Sequence, residues 1–346
     1  MNILGLISSP VDPASRARIL QYIPYFGEKG HSLSCKYYHP LREADPPGWA
    51  RQLKKITGIS EWRSTDLIKA AGRIPLLFTQ SGYDLIWQNR LIQLQHLFWE
   101  KKLKKPVAFD FDDAIWINEG EEQVKKKIGM SSVIFAGNNY LAEFASKYNP
   151  RVRIVPTTID TRTICPLPVK KEPFTIGWAG SFNNQASLDL VREVLLAFIR
   201  NTPGSRLLVI SDKPYGNIPF DNERILFKTW QAEKENELLN ECTVGIMPME
   251  DNEWTRGKCS YKMLQYMACG KPVIVSPVGT NKDILAAAEV GFGPADNEGW
   301  MKALLALKND PALYARLSAN AVRLVQEKYS AAGWTPVLLQ YLSELL

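Results

Sequence analysis

Short apolar runs alternate with stretches of helical periodicity along the whole chain. Runs at 3–7, 32–37, 84–87, 107–111, 132–136 and 152–155 read as strands. Stretches between them, such as 15–29 and 138–147, repeat apolar residues at helical spacing. Strands that are apolar on both faces are expected where helices cover both sides of a sheet. Strand–helix–strand order implies parallel pairing with right-handed crossovers. The pattern breaks at 161–173, where Pro166, Pro168, Lys170, Lys171 and Pro173 suit an exposed linker. It restarts with strands at 174–178, 207–210, 225–227, 244–247 and 273–275, and helices at 187–200, 260–269 and 297–308. Residues 314–346 read as helical. The expectation is an α/β fold of two doubly wound, Rossmann-like halves, 1–160 and 174–330, with a C-terminal helix at 331–346 packing back on the first half. Two such halves facing each other would enclose a central cleft. Ligands of open parallel sheets sit at the carboxyl ends of strands, so chemistry is sought on the loops that follow them.

A length of 346 residues suits two domains. No apolar run approaches the 18 or more residues of a membrane span, and MNILGLISSPVDP reads as a first strand entering a loop rather than a leader. Five scattered cysteines without a CxxC suit reduced thiols in a cytoplasm and argue against a zinc site. Charge changes the picture more. Residues 1–160 carry 22 Lys and Arg against 16 Asp and Glu, and the rest of the chain is balanced. The excess includes Lys101-Lys102-Leu103-Lys104-Lys105 and Lys125-Lys126-Lys127. Two readings stand: solvated helix ends, or a surface for anionic acceptors or membrane headgroups. Nucleic acid is disfavoured because the runs lack interleaved aromatics.

The most informative stretch runs from 254 to 279. Ser260 is placed to cap a helix that buries Met263, Leu264, Met267 and Ala268 and stops at Gly270 and Pro272. Arg256, Lys258 and Lys262 converge at its start, where backbone N–H groups and the helix dipole already favour an anion, and Gly257 leaves room for a ligand. Arg forks onto two oxygens while Lys acts as a point charge; together they would neutralise a leaving diphosphate. Gln265, three residues past Lys262, shares its face and would reach a ribose hydroxyl. The alternative is a solvated cationic loop ahead of an ordinary helix.

Other candidates follow strands. Gly177, Gly180 and Ser181 offer backbone N–H groups to a phosphate or simply make a tight turn. Trp230 would wall a nucleobase or pack in the core. Asp110, Asp112 and Asp113 end a strand together, a pattern that alone would suggest magnesium. Arg16 and Arg18 would reach a phosphate or anionic acceptor, or lie solvated on a helix. His31, His39 and His96 fall in no recognisable motif, and neither a GxSxG elbow nor a Walker lysine loop is present.

The stretch GKCSYKMLQYMACGKPVIVSPVG resembles the donor-domain signature of retaining glycosyltransferases of family four, the glycosyl transferases group 1. Phe174-Thr-Ile-Gly-Trp-Ala-Gly-Ser181 is similar to the strand and Gly-rich loop that open that domain, and Thr243-Val-Gly-Ile-Met-Pro248 to the strand before its phosphate loop. Asp110-Phe-Asp-Asp-Ala-Ile-Trp116 occupies the place of a His/Asp motif of the first domain, and Ser15-Arg-Ala-Arg18 follows the first strand as in bacterial members. The resemblance is strongest over 174–279 and weakest over 40–74.

The resemblance implies the GT-B fold and transfer of a sugar, with retention, from a nucleotide-diphosphate sugar to an acceptor hydroxyl. Front-face attack, in which the leaving phosphate helps take the acceptor proton, would explain why no dedicated base stands out. It assigns Arg256, Lys258, Ser260, Lys262, Gln265, Gly180, Ser181 and Trp230 to the donor, Asp112 and Asp113 to sugar hydroxyls or an oxocarbenium-like transition state, and Arg16 and Arg18 to phosphates or acceptor. It implies no metal and no cofactor beyond the donor. The acceptor would be a glycan or lipid-linked molecule of bacterial surface-glycan synthesis, and the enzyme would work in the cytoplasm, peripheral at the inner face of an anionic membrane. Two departures matter. Where many members carry two glutamates around this helix, this chain has Gly257 and Gln265, and the loop 181–185 lacks their Arg and Lys. Alternatives are a GT-B-fold sugar-nucleotide epimerase, disfavoured by the scarcity of histidine, and a non-catalytic nucleotide-sugar-binding protein.

Overall fold

A computed structural model describes residues 1–37, 78–92, 97–168, 173–220 and 222–346. Contacts divide the chain into two compact units, Met1–Pro156 with Thr335–Leu346, and Thr157–Trp334. His39, His96, Lys170 and Lys171 lie outside the described residues.

In the first unit, β1 (Asn2–Ile7) leads through a loop to α1 (Pro13–Arg18), α2 (Ile23–Glu28) and β2 (Ser32–Tyr37). Then come β3 (Leu85–Asn89), β4 (Val107–Phe111), α3 (Trp116–Glu119), α4 (Glu121–Met130), β5 (Val133–Ala136), α5 (Asn139–Ser146) and β6 (Val152–Ile154). The described strands form one parallel sheet in the order β2-β1-β3-β4-β5-β6. The chain therefore reverses its winding between β1 and β3, where open α/β sheets bind ligands. The helix expected over 15–29 is two short helices. The Asp12 carboxylate caps the first, accepting from the Ser15 N–H at 2.8 Å. Ile19 then leaves helical geometry, and Pro24, lacking an N–H, is tolerated only because α2 starts there.

The second unit runs β7 (Phe174–Ala179), α6 (Arg192–Asn201), β8 (Ser205–Ser211), β9 (Ile225–Thr229), α7 (Glu235–Asn240), β10 (Val244–Met247), α8 (Glu253–Arg256), α9 (Tyr261–Ala268), β11 (Val273–Val275), α10 (Thr280–Ala287), β12 (Gly291–Phe292), α11 (Asn297–Asn309) and α12 (Pro311–Lys328). Its sheet is parallel, in the order β12-β11-β10-β7-β8-β9, with the reversal between β7 and β10. Alternate residues of one strand enter two cores: Leu207 and Val209 pack with α6 and α11, Leu208 and Ile210 with α9 and α12. At the reversal Gly177 pairs with Gly245. A Cβ on Gly245 would meet the Tyr266 ring at 2.1 Å, and one on Gly177 would meet Cys242 Sγ at 2.0 Å. The bare backbone lets α9 lie close on the sheet, and the Ala179 N–H donates to the Tyr266 hydroxyl at 2.6 Å.

Three expectations change. The stretch 187–200 is a 3-10 segment, Phe182–Leu190, followed by α6, because Val191 leaves helical geometry between them. The tail over 314–346 is α12 and then α13 (Ala331–Ser343), broken at Tyr329. The described part of the linker, 161–168, is packed onto the second unit. Ile164 is buried, and the backbone N–H groups of Cys165 and Leu167 donate to Asn236 and Asn240 at 3.1 and 3.0 Å.

Candidate functional site

In the second unit a polar network forms around the first turn of α9. Lys262 Nζ donates to Gln265 Oε1 at 2.7 Å and lies 3.5 Å from Glu235 Oε1. The same Glu235 oxygen accepts from the Trp230 indole N–H at 3.0 Å. Lys262 and Gln265 meet because they are three apart on one helix. Glu235 reaches them because the start of α7 packs beside α9. Its carboxylate is 4% exposed and Gln265 is fully buried. Gln265 Nε2 is buried with no hydrogen-bond partner, a state that costs about 1–3 kcal/mol. A ligand acceptor atom at that point would relieve it.

The structure brings three residues expected at the donor, Lys262, Gln265 and Trp230, into one neighbourhood and adds Glu235, which was not expected there. A signal for it existed: Glu235, Leu238, Leu239 and Cys242 are all buried at i, i+3, i+4 and i+7.

Ser260 departs from its expected role. Its side chain caps no backbone N–H; Ser260 Oγ instead contacts Asn281 Oδ1 at 2.6 Å, with the backbone left-handed at φ 57°. A non-glycine residue held there costs of order 1 kcal/mol and marks a conformation fixed by its surroundings. Arg256 and Lys258 also make contacts apart from Lys262. The exposed Arg256 donates to Asp251 at 2.6 Å, and Lys258 Nζ lies 5.3 Å from the centre of the Trp254 ring.

The Gly-rich loop is also corrected. The Gly180 N–H donates to the Ile210 carbonyl at 3.1 Å, so it is not turned to a phosphate in this structure, and close packing against Cys242 accounts for the glycine at 177. The Phe182 N–H is taken by Asp212 at 2.7 Å, and the Ser181 hydroxyl accepts from Asn184 at 2.9 Å.

In the first unit the three aspartates separate into different roles. Asp110 is buried at the end of β4. Its carboxylate accepts from Arg18 Nε at 2.8 Å and Nη2 at 3.1 Å, and from the Trp87 indole at 3.1 Å. Arg18 also donates to the Val155 carbonyl at 2.7 Å and is buried itself. Arg18 is thus a structural cation and not an acceptor contact; the bidentate geometry offsets its desolvation. Arg16, on the same short helix, is half-buried.

Asp112 and Asp113 instead surround Arg90, a residue the sequence did not single out. Arg90 Nη2 pairs directly with Asp113 and lies 3.5 Å from Asp112 Oδ1, while Nη1 lies 3.7 Å from Glu119. Arg90 follows β3 with its backbone left-handed at φ 61° and donates its N–H to the Asp110 carbonyl at 3.0 Å. Three carboxylates share one guanidinium, so the cluster carries more negative charge than it neutralises. Burial pushes the Asp112 carboxyl up to about 6, with neighbouring Asp113 adding to the shift. Burial likewise raises Glu119 to about 7. Arg90 Nε and Asp112 Oδ1 have no hydrogen-bond partners. The cluster sits at the carboxyl ends of β3 and β4, beside the winding reversal. No group of three or more His, Cys, Asp or Glu among the described residues is arranged to hold a metal ion.

Residues 173–310 match the family model of the glycosyl transferases group 1. That segment contains the whole Trp230–Glu235–Lys262–Gln265 network. No curated protein matches the chain. Among solved structures, sucrose-phosphate synthase from Thermosynechococcus elongatus aligns at a TM-score of 0.72 and 15% identity, over 100% of this chain and 99% of that one. Anabaena HepE in complex with UDP-glucose aligns at 0.71 and 13%, over 99% and 100%. A glycosyltransferase from Rickettsia africae aligns at 0.65 and 11%, over 99% and 98%. The chain has the GT-B fold. In GT-B terms the first unit is the amino-terminal Rossmann-like domain, and the second is the domain that carries the group 1 match.

Proposed function

We propose that this protein transfers a sugar from a nucleotide-diphosphate sugar to a hydroxyl of a glycan or lipid-linked acceptor. The observation that carries the reading is the Trp230–Glu235–Lys262–Gln265 network, which lies in the matched segment at the start of α9 beside the winding reversal. Lys262, at the positive end of the helix dipole, is suited to the diphosphate. The orphan Gln265 amide is suited to a ribose hydroxyl. Glu235 restores, from another helix, a carboxylate where the glutamate pair is absent from sequence, and Trp230 borders the site. HepE holds UDP-glucose in its structure, so a UDP-sugar is the first donor to test.

The chemistry proceeds with retention. The bond from the anomeric carbon to the diphosphate oxygen breaks, the acceptor oxygen bonds to that carbon on the same face, and the acceptor proton passes to the departing phosphate. Lys262 stabilises the charge that develops on that phosphate. In the first unit Asp112 and Asp113 accept hydrogen bonds from sugar hydroxyls, and the Arg90 clamp fixes their positions. The acceptor belongs to surface-glycan assembly.

The test is product analysis with a panel of nucleotide sugars and acceptors. Transfer by the wild type and its loss in Lys262→Ala, with the fold retained, supports the reading. Donor conversion without any acceptor would instead indicate an epimerase. Nucleotide binding with no transfer to any acceptor would indicate a binding protein.

A further inference from the structure

Two of the scattered cysteines are neighbours in the second unit. Cys165 lies on the packed segment 161–168, and Cys269 directly follows α9. The side-chain amide of Asn236 stands between them. Its Nδ2 lies 3.8 Å from Cys165 Sγ, and its Oδ1 lies 3.5 Å from Cys269 Sγ. The oxygen and nitrogen of one amide are about 2.2 Å apart, so both sulfurs crowd the same small group. The residues that follow the two cysteines also meet: a Cβ on Gly270 would lie 3.6 Å from Pro166 Cγ. The two backbones therefore run side by side, as a disulfide needs.

Cys242 is a neighbour of a different kind. It is buried in the core, its thiol donates to the Leu238 carbonyl at 3.9 Å, and it fills the space against Gly177. Cys165 is half-buried, on a segment tied to α7 by side-chain hydrogen bonds. Its N–H donates to Asn236 Oδ1 at 3.1 Å, and its carbonyl accepts from Asn240 Nδ2 at 3.0 Å. A segment held in this way opens more readily than a core.

We propose that Cys165 and Cys269 form a reversible disulfide in place of the Asn236 amide, and that this disulfide weakens nucleotide binding at the Trp230–Glu235–Lys262–Gln265 network. Oxidised glutathione suffices as the oxidant. The Cys165 thiolate attacks one of its sulfurs, releasing one glutathione and leaving a mixed disulfide. The Cys269 thiolate then attacks Cys165 Sγ and releases the second glutathione. Two protein thiols are oxidised, one glutathione disulfide is reduced to two thiols, and the two departing thiolates take up the two protons lost. Burial pushes the Cys269 thiol up to about 12, with the Lys271 ammonium acting against the rise. Cys165 therefore reacts first, and closure by Cys269 is the slow step.

An S–S bond of about 2.05 Å leaves no room for an amide between the sulfurs. Asn236 swings out and gives up its bonds to Cys165 and to Asn240, which donates to it at 3.1 Å. Asn236 directly follows Glu235 in the first turn of α7, and Glu235 holds the Trp230 indole and faces Lys262. Oxidation thus draws Glu235 away from Lys262. This effect on nucleotide rests on the donor reading above; the disulfide itself does not.

The experiment incubates the native full chain with oxidised glutathione, blocks remaining thiols with iodoacetamide and maps the digest by non-reducing mass spectrometry. Titration calorimetry with UDP, GDP, ADP and dTDP then compares reduced and oxidised protein. A linked Cys165–Cys269 peptide is expected, reversed by dithiothreitol, absent in Cys165→Ser and present in Cys35→Ser. The diphosphate that binds reduced protein should bind oxidised protein about tenfold more weakly, and Cys165→Ser should bind it equally under both conditions. No linked peptide, glutathione left on Cys165, or a Cys242–Cys269 link would overturn the disulfide. A linked peptide with unchanged affinity would overturn the coupling to Glu235. No diphosphate binding by reduced protein would defeat the donor reading and the coupling with it, while the mapped disulfide stands or falls by itself.

Discussion

The two sheets place opposite chemistry at equivalent points of their winding. Beside the reversal of the first sheet, three carboxylates crowd one guanidinium and two of them are pushed towards neutrality. Beside the reversal of the second, an ammonium, an indole and an unpartnered amide gather around one carboxylate at a helix start. The first arrangement is rich in acceptors and suited to hydroxyl groups. The second is rich in donors and suited to phosphate and ribose. Two sheets of like topology thus differ in the electrostatics of their loops rather than in architecture.

The comparison breaks most sharply at Lys262. Lys262→Ala should lower transfer at least 100-fold while far-UV circular dichroism stays unchanged, because the side chain is partly exposed and the buried Glu235, though it loses a cation 3.5 Å away, keeps the Trp230 indole N–H. Next in size is Arg18→Ala. Removing one partner of a buried ion pair costs about 3–5 kcal/mol, so this variant should lose stability by that amount in denaturant titration. A mere acceptor contact would lose activity and keep stability.

Ligands aside, Arg18 shows where sequence reading ends. Its spacing after β1 suggested a reachable cation, but which of Arg16 and Arg18 faces inward depends on Asp110, 92 residues away. The strands were legible because solid apolar runs have few other uses, and all six described first-unit strands start within one residue of the expected position. The helix 260–269 was legible from its apolar face and its Gly and Pro stop. The left-handed backbone of Ser260 was not, because a serine before a helix ordinarily caps it. Arg90 and Glu119 escaped because a charged residue carries no periodic signal until the fold supplies its partner.

A pH series sharpens the first cluster. Asp112 and Glu119 bind protons more tightly folded than unfolded, since their usual values near 4 rise to about 6 and 7. Between pH 4 and 7 the folded chain therefore holds more protons, and the contribution of these groups to stability falls as pH rises. Glu119→Gln should flatten that part of the stability curve by an effect on the order of 1–2 kcal/mol. An unchanged slope would show that Arg90 fully compensates the carboxylates.

The smallest expected effect concerns the orphan amide. Gln265→Glu would provide the acid common in relatives and form a stronger pair with Lys262, but it would lose the Nε2 donor. The donor KM should change by about tenfold, with kcat little altered, if Gln265 meets the ribose in ground and transition states alike.

The most direct test is a thermal-shift panel of the wild type and Lys262→Ala with UDP, GDP, ADP, dTDP and CMP, with and without magnesium. A ligand at a hundredfold excess over Kd stabilises by about 2.7 kcal/mol, which for a unit of this size is a shift of about 5–10 °C. The account predicts such a shift with one nucleoside diphosphate, unaffected by chelator and absent in Lys262→Ala. No shift with any nucleotide at millimolar concentration, or an undiminished shift in the variant, would contradict a diphosphate site at the start of α9.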